Sequence, residues 1–421
     1  MRSWSTTPAV ERAAALGNAA DALAQHSEDL VDLMVREVGK PRLEASAELK
    51  RGVAILKYFA QQALDPVGDV LPANPSQALL YTRRRPRGVA ALITPWNFPV
   101  AIPLWKAAPA LAFGNTVLLK PSPESTGVAH RLSELIADSL PPDTLTLVPG
   151  GAESGEALVK SADVVSFTGS VPVGRAVSAL ATERGIPFQT EMGGLNASIV
   201  LPDADVSRTA ATVAAAAMGY AGQKCTATSR AIVVGEPGPF TDALVGAVES
   251  LAVGDPRRDE TVVGPVINEQ ARRKVLAATS EARTLGGRVL VGGAELDQQG
   301  FFVAPTLVDG LPPDAQLLRE EVFGPICSVV SAENADEAVT LTNNVTYGLV
   351  TSVFTRNVTE ALRIVDRLDS GLIRVNAPTS GVDFHAPFGG EKASSAGPRE
   401  QGKAAQEFYT TLRTITLAPE E

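Results

Sequence analysis

Four short stretches hold the side chains best suited to covalent and acid–base chemistry. Cys225 lies in "AGQKCTATSRAIVV" (221–234), between Lys224 and Thr226 and just ahead of an apolar, strand-like run. A structural thiol usually sits among bulky apolar neighbours. A thiolate among small ones is an accessible nucleophile, and Lys224 or a helix N-terminus would help stabilise it. Glu191 precedes a Gly-Gly pair in "FQTEMGGLN" (188–196). Partly buried, it would serve as a general base towards water; on the surface it would be an ordinary solvated glutamate. Asn97 in "ITPWNFP" (93–99) is an amide held between prolines and aromatic rings, suited to donate to an oxyanion and equally to close a turn. Cys327, within the apolar run "FGPICSVV", reads as core.

Two further stretches could bind a phosphorylated ligand. In "FTGSVPVG" (167–174) a strand ends, Gly169 and Gly174 flank Ser170, and a helix begins. The N–H groups of such a helix start form an anion site, and glycine permits close approach of a pyrophosphate; a plain turn is the competing reading. The G-x-G-x-x-G fingerprint is absent from the sequence. Lys120 in "VLLKPSPES" (117–125) falls at the carboxyl end of a strand, where doubly wound sheets bind ligands, although a solvated strand-end lysine would look the same.

The elements that would position these residues alternate. The first 62 residues are rich in Ala, Leu and Glu with helical periodicity, broken at "GKPR" (39–42). "DPVGDVLP" and "SQALLYTRRRPRGVAALITP" read as strands with a turn at "ANPS" (73–76). From Gly88 strands and helices alternate: 89–93, helix 103–113, "NTVLLK", helix 127–139, "TLTLVPG", "DVVSFTG", and a helix from about residue 173. A second series runs from residue 196 to about 375, with helices at 202–220, 239–251 and 334–343. Such alternation predicts α/β architecture, parallel sheets covered by helices. The tail "EFYTTLRTITLA" is a late strand expected to pair with "ALLYTRRR" in a sheet shared between subunits.

Length and composition narrow the class. A chain of 421 residues is too long for one typical core, so two or three domains are expected. A net charge of −10 argues against a nucleic-acid partner, and the single basic run at Arg83–Arg87 reads as a solvated strand edge. No uncharged apolar run reaches the roughly 18–20 residues that span a bilayer, and the N-terminal stretch reads as a helix without a signal core. Two cysteines 102 residues apart suggest a reducing cytoplasm. No metal is expected, because the three histidines are scattered and no Cys or His pair has ligand spacing; a serine-hydrolase elbow is also lacking.

Taken together, "TPWNFP", "LLKPSPES", "FTGSVPVG", "EMGGLN", "GQKCTATSR", "EEVFGPI" and "PFGGEK" resemble, in order and approximate spacing, the NAD(P)-dependent aldehyde dehydrogenase superfamily. "GQKCTATSR" with "GVDFHAPFGG" and "GPREQG" is most similar to its bacterial α-ketoglutaric semialdehyde dehydrogenase branch. The resemblance implies a Rossmann-like cofactor domain (1–66 and 87–193), an α/β catalytic domain (194–400) and oligomerisation strands (67–86 and 406–418) that join homodimers or homotetramers. It implies Cys225 as nucleophile, Glu191 as general base and Asn97 as oxyanion donor, with Lys106 and Glu400 at positions associated with proton relay. The match at Glu400 requires one extra residue, Pro398. NAD or NADP would be held by Thr94, Pro95, Trp96, Lys120, Ser122, Gly169, Ser170, Gly174, Gly193, Glu321 and Phe323. The aldehyde would meet Trp105, Lys224, Phe384 and Phe388.

In this family the Glu191 carboxylate implies release of a free acid by water rather than transfer to coenzyme A. Pro123 stands where many NAD-preferring members have Glu, so NADP should be tolerated beside NAD. Family members also carry an N-terminal strand-and-helix unit of roughly 30 residues before the helix that starts here. The branch suggests a carboxylate-bearing semialdehyde such as 2,5-dioxopentanoate. An apolar tunnel for aromatic or aliphatic aldehydes, a silent dinucleotide-binding relative and a cofactor-free thiol esterase remain alternatives.

Overall fold

The structure, a computed structural model, describes residues 2–74, 77–381 and 383–418. Two mainly parallel sheets form its framework. The first runs, in spatial order, through Ser395–Ala396, Phe188–Glu191, Val164–Thr168, Val89–Ile93, Thr116–Lys120 and Leu145–Leu147. Only its Ser395–Ala396 edge is antiparallel. The "VAALI" strand is apolar almost throughout because helices cover both sheet faces. From this strand the chain builds outwards in one direction through 116–120 and 145–147, then returns to build the other side from 164–168. The switch point between Val89–Ile93 and Val164–Thr168 therefore opens a crevice at their carboxyl ends, where "TPWN" and "GSVP" begin.

The second sheet has seven strands in the order Arg288–Val291, Thr306–Asp309, Ile326–Ala332, Thr228–Val234, Asn196–Val200, Val350–Phe354 and Leu372–Val375. Only the Arg288–Val291 edge is antiparallel. Apolar faces of the helices Val206–Met218 and Gly238–Glu249 pack on it. Leu79–Pro86 pairs along its length with Thr410–Leu417, antiparallel, and Val70–Leu71 adds a short third strand. The late strand thus finds the early partner that its alternation suggested.

Several boundaries differ from the sequence reading. "DPVGDVLP" keeps only two strand residues, and the turn at 73–76 lies partly outside the described residues. The tail strand begins at Thr410, because Gly402–Tyr409 is a helix that buries Ala405, Phe408 and Tyr409 in the first core. The 194–400 segment does not stay with the second sheet to its end, since Ser395–Ala396 closes the edge of the first. Three other helices leave no mark in the sequence pattern, the first being Ala152–Ser161 between two strands of the first sheet. Glu269–Thr284 buries only Val275, Thr279 and Ala282, so its apolar stripe is thin, and Val358–Val365 is short.

Candidate active site

Cys225 follows a sharp break in the chain. The helix Val206–Met218 stops two residues earlier than its apolar pattern suggested, and Tyr220, Ala221 and Gly222 then all adopt left-handed backbone conformations (φ 54°, 52° and 65°). Two of these are not glycine, so the turn is strained and its surroundings must hold it. The buried Tyr220 hydroxyl donates to the Val38 carbonyl at 3.1 Å. At Gly222 a side chain would run into the Gly324 carbonyl, leaving no room for any other residue. Gln223, wholly buried, donates to the Tyr220 and Pro265 carbonyls and accepts from the Ile267 N–H at 2.7 Å. The motif "GQKCTATSR" by itself gives Gln223 no role.

Asn97 approaches from the other sheet. Its side-chain amide is buried and donates to the Gln223 carbonyl at 3.0 Å, two residues from Cys225. One of its two N–H donors is therefore fixed, and the group is oriented before any ligand arrives. Glu191 ends the strand 188–191, is 3% exposed, and accepts from the Ser395 hydroxyl at 2.6 Å. Burial, and next the charge of Glu400, raise its pKa well above the usual carboxylate range; Ser395, Lys106 and Arg399 pull the other way. Lys106 and Glu400 meet in a fully buried ion pair. One Glu400 oxygen also accepts from Ser166 (3.0 Å) and Gln189 (3.1 Å), while its other oxygen has no partner. The Glu400 placement that needed an extra residue therefore puts its carboxylate on Lys106.

Cys225 is half-buried at the wall of a cavity of about 330 Å³ lined also by Arg51, Phe98, Trp105, Lys224 and Phe388. Burial, then the charges of Glu321 and Glu191, push its thiol from 9.0 up to about 12. The expected help from Lys224 is not available. Its ammonium is committed to Glu44 at 2.5 Å, and three carboxylates act on the thiol in the opposite sense. Trp105 and Phe388 face each other with ring centres 5.6 Å apart, and the buried Trp105 indole N–H has no partner. Phe384 instead packs edge-on against Tyr58 and is not among the residues that line this cavity. Val382, inside the "GVDFHAPFGG" motif, lies outside the described residues.

Most residues expected at the cofactor follow the carboxyl ends of the first sheet's strands, which end at Ile93, Lys120, Thr168 and Glu191. Ser170 precedes the helix Val171–Glu183 without capping it, leaving first-turn N–H groups for an anion, and Gly174 packs closely on Met192. Thr94 is buried, its N–H bonded to the Lys120 carbonyl and its hydroxyl unpartnered, and Pro95 follows it. Trp96 stands perpendicular to Phe323 with ring centres 5.8 Å apart, and Phe323 is itself left-handed (φ 61°). A side chain at Gly193 would meet the Glu321 carboxylate, which accepts from the Gly194 N–H at 3.1 Å. Burial raises Glu321 from 4.5 to about 7. A lysine, a free helix N-terminus, an unpartnered hydroxyl and a carboxylate around one crevice suit a dinucleotide.

At Lys120 the sequence reading needs amendment. Pro123 brings no charge, but the neighbouring Glu124 accepts from the Ser122 hydroxyl, and its charge opposes the lowering of the Lys120 pKa by burial. An anionic group is therefore present beside Lys120 after all. Among the described residues no cluster of three or more His, Cys, Asp or Glu side chains could hold a metal, and no helix is long and apolar enough to cross a membrane.

The aldehyde dehydrogenase family matches residues 1–415 of this chain. The chain is 38% identical to the α-ketoglutaric semialdehyde dehydrogenase of Bacillus subtilis over 426 residues, covering 99% of the chain and 87% of that protein. It is 41% identical to the α-ketoglutarate semialdehyde dehydrogenase of Haloferax volcanii, covering 98% and 87%. Among solved structures it is similar to the NAD⁺ complex of betaine aldehyde dehydrogenase from Staphylococcus aureus, with a TM-score of 0.95 and 30% identity over 99% of this chain and 85% of that one.

Proposed function

Since the chain belongs to the aldehyde dehydrogenase family and is an NAD(P)-dependent aldehyde oxidoreductase, we propose that its substrate is a short semialdehyde with a distal carboxylate, 2,5-dioxopentanoate or a close analogue. The observation that carries this reading is Arg51. The other charges lining the Cys225 cavity are paired, Lys224 with Glu44 and Glu48 with Lys40. Arg51 has no ion pair or hydrogen bond among the described residues, so its guanidinium can receive a carboxylate in two-pronged fashion. Apolar aldehydes would fit Trp105, Phe98 and Phe388 but leave that cation unanswered.

The chemistry follows from the groups in place. The Cys225 sulfur bonds to the aldehyde carbon while the thiol proton passes to a carboxylate, and Glu191, with its raised pKa, is the acceptor. The Asn97 amide and the Cys225 N–H hold the resulting oxyanion. A bound NAD(P)⁺ would supply the hydride acceptor, and Lys120, Ser170 and Glu321 would hold it. Once that proton has left through the Lys106–Glu400 pair, the ionised Glu191 takes a proton from the water that attacks the thioester, and returns it to the departing sulfur as the acid leaves. Lys106 and Glu400 exchange protons behind Glu191.

The enzyme is further proposed to be cytoplasmic and to associate as a homodimer or homotetramer through the 79–86 and 410–417 strands. Their exposed Leu79, Leu412 and Leu417 support that assembly. The test of substrate is a kcat/KM comparison of 2,5-dioxopentanoate, succinic semialdehyde, benzaldehyde and hexanal for wild type and Arg51→Gln. The wild type should prefer the carboxylate-bearing aldehydes. The variant should lose about 100-fold on them and little on hexanal. A wild type that favours hexanal or benzaldehyde overturns the substrate assignment. A Cys225→Ala variant that still forms NADH removes the covalent mechanism.

A further inference from the structure

The oxyanion donor and the nucleophile sit on opposite walls of the seam between the two sheets, and one buried ion pair touches both walls. Lys40 lies in the break between the helices Ser27–Val38 and Arg42–Gln62, and Glu48 lies within the second helix. Both are buried, 0% and 3% exposed. The Lys40 ammonium is paired with Glu48 and donates to the Asn97 backbone carbonyl at 2.6 Å. It also lies 3.9 Å from the ring centre of Phe98 and 4.6 Å from that of Tyr220. The other Glu48 oxygen accepts from the N–H groups of Val100 (2.8 Å) and Ala101 (2.9 Å), where the helix Ala101–Ala112 begins. The pair thus grips the Asn97 loop at residue 97, at the adjoining ring and at the next helix start. Through Tyr220 it also bears on the left-handed turn that delivers Cys225.

We propose that Lys40 and Glu48 are positioning residues that set the Asn97 amide against the Cys225 turn, an assignment that rests on Asn97 acting as the oxyanion donor. A buried pair of this kind adds little net stability, because desolvating two charges offsets most of their attraction. Its geometry matters more. A displacement of about 1 Å at an oxyanion donor costs on the order of 100-fold in rate. Neither residue faces the reacting carbon with a proton to give, since Lys40 is spent on Glu48 and Asn97 and the Glu48 oxygens on Lys40 and two N–H groups.

The test is a mutant cycle between Lys40→Met/Glu48→Gln and Asn97→Ala. The double substitution leaves no buried charge unpaired and keeps an oxygen for the helix start, so it removes the grip on Asn97 selectively. Two reactions are followed: aldehyde oxidation, and hydrolysis of 4-nitrophenyl acetate without cofactor. Lys40→Met/Glu48→Gln should lower kcat in both by about 10–100-fold with KM within about threefold. In the Asn97→Ala background the same substitutions should cost less than about threefold. Lys40→Arg, which keeps the charge with a different reach, should fall between, and serves if the double variant does not fold. Wild-type kcat in Lys40→Met/Glu48→Gln, or losses that multiply fully with Asn97→Ala, would overturn the proposal and leave the Asn97 assignment standing. An Asn97→Ala enzyme with undiminished kcat would overturn the oxyanion assignment, and this proposal with it.

Discussion

The free enzyme should hold Cys225 as a thiol, and its alkylation rate can show this. Its thiol is pushed from 9.0 up to about 12. At pH 7 that leaves about a thousandfold less thiolate than an unperturbed cysteine. A more basic thiolate is also a better nucleophile; with a Brønsted slope near 0.45, three units recover about 20-fold. The apo enzyme should therefore react with iodoacetamide about 50-fold more slowly than a small peptide thiol at pH 7, and about tenfold faster for each unit of pH above that. Cys327 is fully buried in its strand and should contribute nothing before unfolding, which a Cys225→Ser control isolates. Because Glu321 is the largest charge acting on the thiol, Glu321→Gln should accelerate alkylation. A rate equal to that of a peptide thiol and level above pH 7 would mean a thiolate already formed. Burial and carboxylate charge would then not govern the thiol.

Two further outcomes follow from single groups near the cofactor crevice. Burial raises Glu321 from 4.5 to about 7, so its folded state holds a proton more tightly than its unfolded state. The stability this group contributes is complete below about pH 4.5 and is lost as pH rises through about 7. Glu321→Gln, which does not titrate, should therefore gain on wild type between pH 5 and pH 8 in thermal melts of the apo enzyme. The gain stays below about 3 kcal/mol given the partial exposure, and a gap independent of pH would refute it. At Lys120, the Glu124 charge should disfavour the 2′-phosphate of NADP⁺. Glu124→Gln should improve NADP⁺ binding relative to NAD⁺ by about tenfold in calorimetric titrations, and an unchanged ratio of the two Kd values would remove Glu124 from coenzyme choice.

What the sequence showed well was local. The runs "VAALI", "TVLLK" and "VVSFT" are apolar enough to be buried strands wherever they sit, and each is one. What it hid depends on distant partners. Lys224 next to Cys225 looked like a cation for the thiolate until Glu44, 180 residues away, claimed it. Glu124 could not stand in for Pro123 until the turn at Pro123–Ser125 brought its carboxylate onto Ser122. Arg51 lies in a helix whose pattern marks it only as polar, and nothing nearby in the chain says that it lines the Cys225 cavity. The left-handed Tyr220 and Ala221 were also invisible, because neither residue favours that conformation and only surrounding contacts hold it.

These hidden features share a location, and the location explains why the chemistry is held so firmly. The Asn97 loop belongs to one sheet and the Cys225 turn to the other, so relative movement of the two halves would separate donor from nucleophile. The ties across the seam are short and buried: Asn97 to Gln223, Tyr220 to Val38, and Lys40 between Asn97 and the Tyr220 ring. Each leaves a buried polar group without its partner if broken, so drift along the seam costs more than the bonds alone would suggest. Alignment is thus maintained by hydrogen bonds whose loss is expensive, on residues that never touch the reacting carbon.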